Sequence, residues 1–332
     1  MPLTPFIDSL KENTTKGYAL SSVFGAKTPN SEWEFMSGNS MAFLPMGSVV
    51  YQQYISDTPT TIVSNLKDDG YTCIAMHPYY ETGWSRNLVY PHIGFDEMHF
   101  IDYFDQTKIL REYITDQELY DKIIRRYENR KNNEKLFFMG ITMQNHGGYT
   151  ETYDNFPENY YKVGRSYTDA NQYLSLVHES DEAVKNLISY FSKVDDPVEI
   201  IFFGDHQPHL PDSFYFQMTG KIPAGFTKEE ALKKYEVPFL IWANYDITEK
   251  EIDHISLNYL STEMAVDTGQ SMSAYQCFLQ AMQQEISSLS DNGCYDAEGR
   301  YYTLEEAPES MQQWIREYKI LQYYMLFDGQ ER

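Results

Sequence analysis

The 332-residue chain carries 26 Lys and Arg against 49 Asp and Glu, a formal charge of −23. That balance excludes whole-body attraction to nucleic acid or anionic lipid headgroups, so any anion must be recognised locally. A hydrophobic fraction of 42%, an aromatic fraction of 16% and no low-complexity tract exclude a disordered chain and allow a sizeable core.

The three cysteines, Cys73, Cys277 and Cys294, stand far apart and form no C-x-x-C pair, so neither a disulfide framework nor a cysteine zinc site is indicated. No apolar run approaches the length of a membrane span, and Met1 to Pro5 has neither the basic nor the apolar region of a signal peptide. As written, the sequence reads as a soluble chain.

Thr4-Pro5 with Phe6, Ile7 and Leu10 predicts a capped helix at the start, where an α/β unit would open on a strand. Gly17 to Phe24 reads as a strand leading into a helix with Thr28 as N-cap and Pro29 at its first position. Thr60 to Asp69 is helical, with Gly70 just past its end, and Tyr71 to Met76 is a buried strand ending at His77. Gln117 to Arg130 is an amphipathic helix, and Lys135 to Met143 a near-continuous apolar strand ending at Gln144-Asn145-His146-Gly147-Gly148. After a tyrosine-rich loop from Tyr149 to Tyr167 comes a long helix through Phe191, then the strand Pro197 to Phe203, ending in Gly204-Asp205-His206-Gln207-Pro208. Lys228 to Tyr235 is helical and Val237 to Trp242 is another apolar strand. From about Ser256 the pattern turns helical, with long periodic segments at Ser273 to Ile286 and Glu305 to Phe327 around an Asp291-Asn292-Gly293 turn.

This alternation predicts an α/β domain over residues 1–270 with a mainly parallel central sheet flanked by helices, followed by a mainly helical C-terminal extension over 271–332. Residues at the carboxyl ends of parallel strands share one edge, where ligands bind. Thr28, Trp84, Arg86, His146, Asp205 and His206 all follow strands, and on that rule they form one set. Asp205-His206 offers adjacent oxygen and nitrogen ligands suited to Zn²⁺ or Mn²⁺ and tolerable for Mg²⁺. Arg86 beside Trp84, in so acidic a chain, reads as a clamp for phosphate or sulfate. His146 on a Gly-Gly loop reads as a ligand contact. His77, His92, His99, His178 and His254 read as structural or surface residues, with His209 a weak candidate by its closeness to Asp205.

Five segments together resemble the lipoteichoic acid synthase and phosphoglycerol transferase group of the sulfatase-like, alkaline-phosphatase-fold superfamily. They are Thr28-Pro29-Asn30-Ser31-Glu32-Trp33-Glu34-Phe35, Leu44 to Ser48 with Tyr51 to Tyr54, Trp84-Ser85-Arg86, Thr142 to Gly147, and Gly204 to Pro208. The resemblance implies Thr28 as a nucleophile that forms a phosphothreonine, with Thr28, Asp205 and His206 as ligands of a divalent metal, usually Mn²⁺ or Mg²⁺. It implies Trp84, Arg86 and His146 as the residues holding a glycerophosphate head group. It also implies a glycerophosphate-containing envelope lipid or polymer as substrate, at the outer face of a bacterial membrane. The alternatives are a hydrolase of other phosphate or sulfate esters and a non-catalytic module binding anionic polymers. The C-x-P-x-R frame of sulfatases that use formylglycine is absent at Thr28, so sulfate ester cleavage is the less favoured chemistry.

Family members begin this domain with an apolar strand ending in a Glu-Ser pair whose Glu binds the metal. Nothing of that kind precedes Thr28, and Glu12 falls on the opening helix. The expectation is an N-terminally truncated sequence, the alternative being a diverged member with a weakened metal site, with a strand missing from the sheet and weak activity or stability on its own.

Overall fold

The computed structural model describes residues 2–55, 58–156 and 167–328. Of the tyrosine-rich loop after Tyr149, residues 157–166 lie outside the described residues. Among the described residues the strands are β1 (Thr14–Leu20), β2 (Tyr71–Met76), β3 (Glu97–His99), β4 (Ile109–Leu110), β5 (Tyr113–Ile114), β6 (Lys135–Gly140), β7 (Glu199–Phe203), β8 (Glu236–Ala243), β9 (Lys250–Ser256), β10 (Ile286–Ser290), β11 (Gly293–Asp296) and β12 (Tyr301–Tyr302). Two compact units share them. One gathers Met1–Leu10, Leu66–Asp196 and His209–Pro223; the other gathers Lys11–Asn65, Pro197–Pro208 and Ala224–Arg332. This division does not follow a cut at residue 270.

In the first unit β2 lies between β3 and β6, parallel to both. Its Cys73, Ile74, Ala75 and Met76 are buried, as the continuous apolar run requires. The helix Asp116–Glu128 packs on β6 and on the long helix Thr168–Phe191. Asp181, buried on that long helix, accepts bonds from the amides of Phe6 and Ile7 at 2.9 Å each. A carboxylate thus satisfies the free N–H groups that begin the short helix Pro5–Ser9.

The second unit holds the sheet β7-β8-β1-β9, in which β9 is parallel to β1 while β8 runs antiparallel to both β7 and β1. A strand buried on both faces has the same apolar pattern in either direction, so the sequence did not betray the reversal of β8. Gly17 on β1 permits the pairing with β9: a Cβ there would sit 1.8 Å from the Ile252 carbonyl oxygen. The helix Thr28–Ser37 is buried along its whole length from Pro29 to Ser37 and packs against the helix Leu257–Thr268. It ends at Gly38, φ 72°, the left-handed position that glycine tolerates.

The C-terminal segment belongs to this unit as much as the sheet does. Tyr318, on the helix Glu309–Tyr323, donates to the Gly38 carbonyl at 2.7 Å, and Gln322 exchanges two bonds with the backbone of Ser40. Between the helices Ala274–Gln283 and Glu309–Tyr323 the region contains the antiparallel sheet β10-β11-β12, absent from the sequence reading. All three cysteines are free thiols.

Candidate active site

In the second unit β1 ends at Leu20 and its successor residues turn toward the loop after β7. Ser21 and Ser31 both donate to the Asp205 carbonyl, at 2.7 and 2.6 Å, and the Gly25 amide donates to the Gln207 carbonyl at 2.9 Å. The Gln207 side chain donates to the Glu236 carbonyl at 2.7 Å. Three bonds therefore fix Gly204 to Pro208 against the segment carrying Thr28, and the fourth ties the loop to β8.

Lys27, not Thr28, is the N-cap of the helix, in the left-handed region at φ 74° and ψ 41°, and no side chain caps it. That corrects the cap expected at Thr28. With the chain entering through a left-handed Lys27, Thr28 falls at the first helical position and Pro29 at the second. Its hydroxyl is directed elsewhere, donating to Asp205 Oδ2 at 2.6 Å. His206 Nε2 lies 3.3 Å from the same oxygen, and His206 Nδ1 lies 3.0 Å from the Gln207 carbonyl. A carbonyl only accepts, so Nδ1 carries a proton and Nε2 is the ring nitrogen turned toward Asp205. A ring nitrogen bonded to a carbonyl while the other faces a shared point is how metal-ligating histidines are oriented.

The first unit carries the other three expected residues. Trp84 and Ser85 both adopt left-handed backbone, φ 55° and 62°, a strained pair that swings the chain into the helix Arg86–Ile93. Arg86 is buried; its Nε donates to the Tyr90 hydroxyl at 3.0 Å, and its Nη1 lies 3.3 Å from both His77 Nε2 and the Gly83 carbonyl. His77 Nδ1 is 2.9 Å from the Ile141 carbonyl, so the ring donates there and accepts from Arg86. His146 is exposed, with Nδ1 3.0 Å from the Tyr113 hydroxyl and 2.9 Å from the Gly147 carbonyl. A row of rings connects the two ends: His77 to Tyr79 at 6.1 Å, Tyr79 to Tyr113 at 6.4 Å, and Tyr113 to His146 at 5.3 Å between centroids.

The structure thus brings Thr28, Asp205 and His206 together in one unit, and Arg86 and His146 onto one aromatic row in the other. His77, read from sequence as structural or surface, is the residue that holds Arg86. It stands at the end of β2, the same kind of position that singled out His146 and Asp205, so the strand-end rule would have found it. Tyr79, Arg111 and Tyr113 carried no comparable signal.

A family model for the sulfatases matches residues 1–268. The chain belongs to the sulfatase family. A putative cyclic beta-1,2-glucan modification protein of Rhizobium meliloti (strain 1021) is 28% identical over 331 residues, covering 94% of this chain and 49% of that protein. The chain therefore spans about half the length of that relative. Among solved structures, the Streptococcus pyogenes phosphoglycerol transferase GacH in complex with sn-glycerol-1-phosphate superposes with a TM-score of 0.77 at 21% identity, covering 98% of this chain and 80% of that one. The lipoteichoic acid synthase LtaP from Listeria monocytogenes does so with a TM-score of 0.68 at 17% identity, covering 97% and 85%. These likenesses establish the alkaline-phosphatase-like α/β fold expected from the strand and helix pattern.

Members of this superfamily use divalent metals. The donor set here fits such an ion in kind: a carboxylate oxygen, an imidazole nitrogen whose ring partner bonds a carbonyl, and a hydroxyl. Among the described residues no group of three or more His, Cys, Asp or Glu could hold a metal. Among the same residues, no helix is long and apolar enough to cross a membrane.

Proposed function

We propose that this sulfatase-family chain is the catalytic part of a phosphoglycerol transferase acting on glycerophosphate-containing envelope lipids or polymers, with Thr28 as nucleophile. The observation that carries the reading is the Thr28 hydroxyl, released from capping and donated to Asp205 Oδ2 at 2.6 Å. The similarity to a phosphoglycerol transferase structure that contains sn-glycerol-1-phosphate supports the choice of head group.

In the first half-reaction Thr28 Oγ1 forms a bond to phosphorus as the ester bond to the leaving alcohol breaks. The hydroxyl proton departs through Asp205 Oδ2, the atom it already faces, and water protonates the leaving alkoxide. In the second, an acceptor hydroxyl attacks the phosphothreonine, loses its proton to the same carboxylate route, and returns Thr28 to its starting state. A Mn²⁺ or Mg²⁺ ion held by Asp205, His206 and Thr28 would neutralise charge developing on the phosphoryl oxygens and make the hydroxyl more acidic. Arg86 supplies a guanidinium for the phosphate, and Trp84 and His146 complete the recognition of the glycerol end. The acceptor is a hydroxyl-bearing polymer at the outer face of a bacterial membrane; the similarity to a glucan modification protein supports a glycan among such acceptors.

The test is incubation with a chromogenic glycerophosphodiester and Mn²⁺, followed by mass spectrometry of the Thr28 peptide. A phosphate-bearing adduct on Thr28, lost in Thr28→Ala with the fold retained, is the expected result. Turnover that survives Thr28→Ala unchanged would sink the assignment.

A further inference from the structure

The hairpin β4–β5 turns through Arg111 and Glu112, and Arg111 sits at φ 56°, a conformation that an arginine rarely adopts. Its side chain is buried. Nη2 donates to the carbonyls of Gln144 and His146 at 2.8 and 2.7 Å, and Nη1 donates to the Gly148 carbonyl at 2.9 Å and to Gln172 Oε1 at 3.3 Å. One guanidinium therefore takes three alternate carbonyls of the loop that carries His146. The rings of Tyr113 and Tyr149 flank it at 5.6 and 5.4 Å, and its buried Nε has no hydrogen-bond partner among the described residues. A buried cation that leaves one N–H unmatched is a costly way to close a hairpin, because an unpaired donor in the interior forfeits its water. Three of the four bonds it does make go to the backbone of residues 144–148.

Two residues along, Tyr113 approaches the same loop through its hydroxyl, which lies 3.0 Å from His146 Nδ1. The Gly147 carbonyl, 2.9 Å from that nitrogen, accepts only, so Nδ1 bears the proton and Nε2 is the acceptor. Further contacts hold the loop from behind. Asn145 donates to Ser180 Oγ at 2.9 Å, Ser180 donates to Asp116 Oδ2 at 2.5 Å, and the Tyr149 hydroxyl donates to the Asn145 carbonyl at 2.7 Å.

We propose that Arg111 and Tyr113 are positioning residues for His146: Arg111 sets the backbone of its loop, and Tyr113 fixes the ring so that Nε2 accepts a hydroxyl hydrogen from the polyol part of the substrate. The proposal rests on His146 being a head-group ligand. It adds which atom of His146 does the recognising and which partner chemistry it selects, a hydroxyl donor and not a bare phosphoryl oxygen. Neither residue touches the reacting phosphorus in this scheme. Their loss therefore acts on substrate affinity through His146.

The experiment compares Tyr113→Phe, His146→Ala and the double variant, in the Mn²⁺-loaded protein, on a glycerophosphodiester and on bis-p-nitrophenyl phosphate, which has no polyol. Tyr113→Phe should raise KM for the glycerophosphodiester about tenfold, with kcat nearly constant, as expected for one lost hydrogen bond to a recognition group. KM for bis-p-nitrophenyl phosphate should not move, and Tyr113→Phe should add nothing in the His146→Ala background. Multiplying losses in the double variant would overturn the positioning role while leaving the head-group reading intact. An unchanged KM in His146→Ala itself would overturn both. Arg111→Lys, checked for folding by its thermal transition, should show the same selectivity between the two substrates; an equal loss on both overturns its part.

Discussion

Glu34 is fully buried on the helix that begins at Thr28, and burial is the main cause that pushes its carboxyl up to about 7. The bonds it accepts, from Ser22 Oγ at 2.5 Å and the Met41 amide at 2.9 Å, pull the other way and are outweighed. In an unfolded chain the group titrates near 4.5. Between those values the folded protein holds a proton that the unfolded chain has released, so stability falls as pH rises through the window and is level outside it. A shift from 4.5 to about 7 corresponds to roughly 3 kcal/mol. Glu34→Gln keeps an oxygen for Ser22 and Met41 and cannot ionise. The stability difference between Glu34→Gln and the parent should therefore move in favour of the glutamine by roughly 3 kcal/mol from pH 4 to pH 8. Urea unfolding at a series of pH values measures it, and taking the difference between two proteins removes the titration of every other carboxylate. A difference that is flat with pH would refute the reasoning, since it would mean that water or a counter-charge reaches Glu34 in the folded state.

Two further predictions concern the frame. Gly17→Ala places a Cβ 1.8 Å from the Ile252 carbonyl oxygen, so β1 and β9 must separate there, at a cost of about 3 kcal/mol or more, read from the thermal transition. Asp181→Ala removes the acceptor for the Phe6 and Ile7 amides, and hydrogen exchange at those two amides should rise by on the order of tenfold or more while the β2 amides keep their protection.

How much of this was legible in the sequence depended on whether the signal was local. The continuous apolar runs of β6 and β7 gave their own positions, and the polar segments after them gave His146, Asp205 and His206 because function collects at strand ends. β9, with charges at Lys250, Glu251 and Asp253, has no such run, and its pairing with β1 depends on Gly17 far away in the chain. β10 reads Ile-Ser-Ser-Leu-Ser. Two of its three serines find partners: the half-buried Ser287 donates to the backbone of Tyr295 and Asp296, and Ser290 accepts from the Asn292 amide, while the buried Ser288 hydroxyl has none among the described residues. The Ser287 bonds cross to the neighbouring strand β11, and composition alone argues for a loop. Arg111 and Tyr113 lie on a hairpin with only two residues in each strand, too short for any periodicity to announce. Their importance comes from the carbonyls they meet 33 to 37 positions later.

The helix Thr28–Ser37 explains why the reactive hydroxyl is held so firmly in a sequence that looks too polar for an interior. Four of its buried polar side chains tie it to other segments. Asn30 donates to the Ser48 carbonyl and accepts from the Val50 amide, Ser31 donates to Asp205, Glu32 accepts from the Tyr51 hydroxyl, and Glu34 accepts from Ser22 and Met41. An apolar helix of the same shape would pack as well and would avoid the penalty at Glu34. It would not register the loop after β7 against Thr28, because the Ser31 bond, with its neighbour at Ser21, fixes the carbonyl of Asp205. Stability and registration are therefore opposed within one helix. Replacing Glu34 should stabilise the protein at neutral pH and leave Thr28 in place, whereas replacing Ser31 should leave the core packed and move Asp205 away from the hydroxyl it receives.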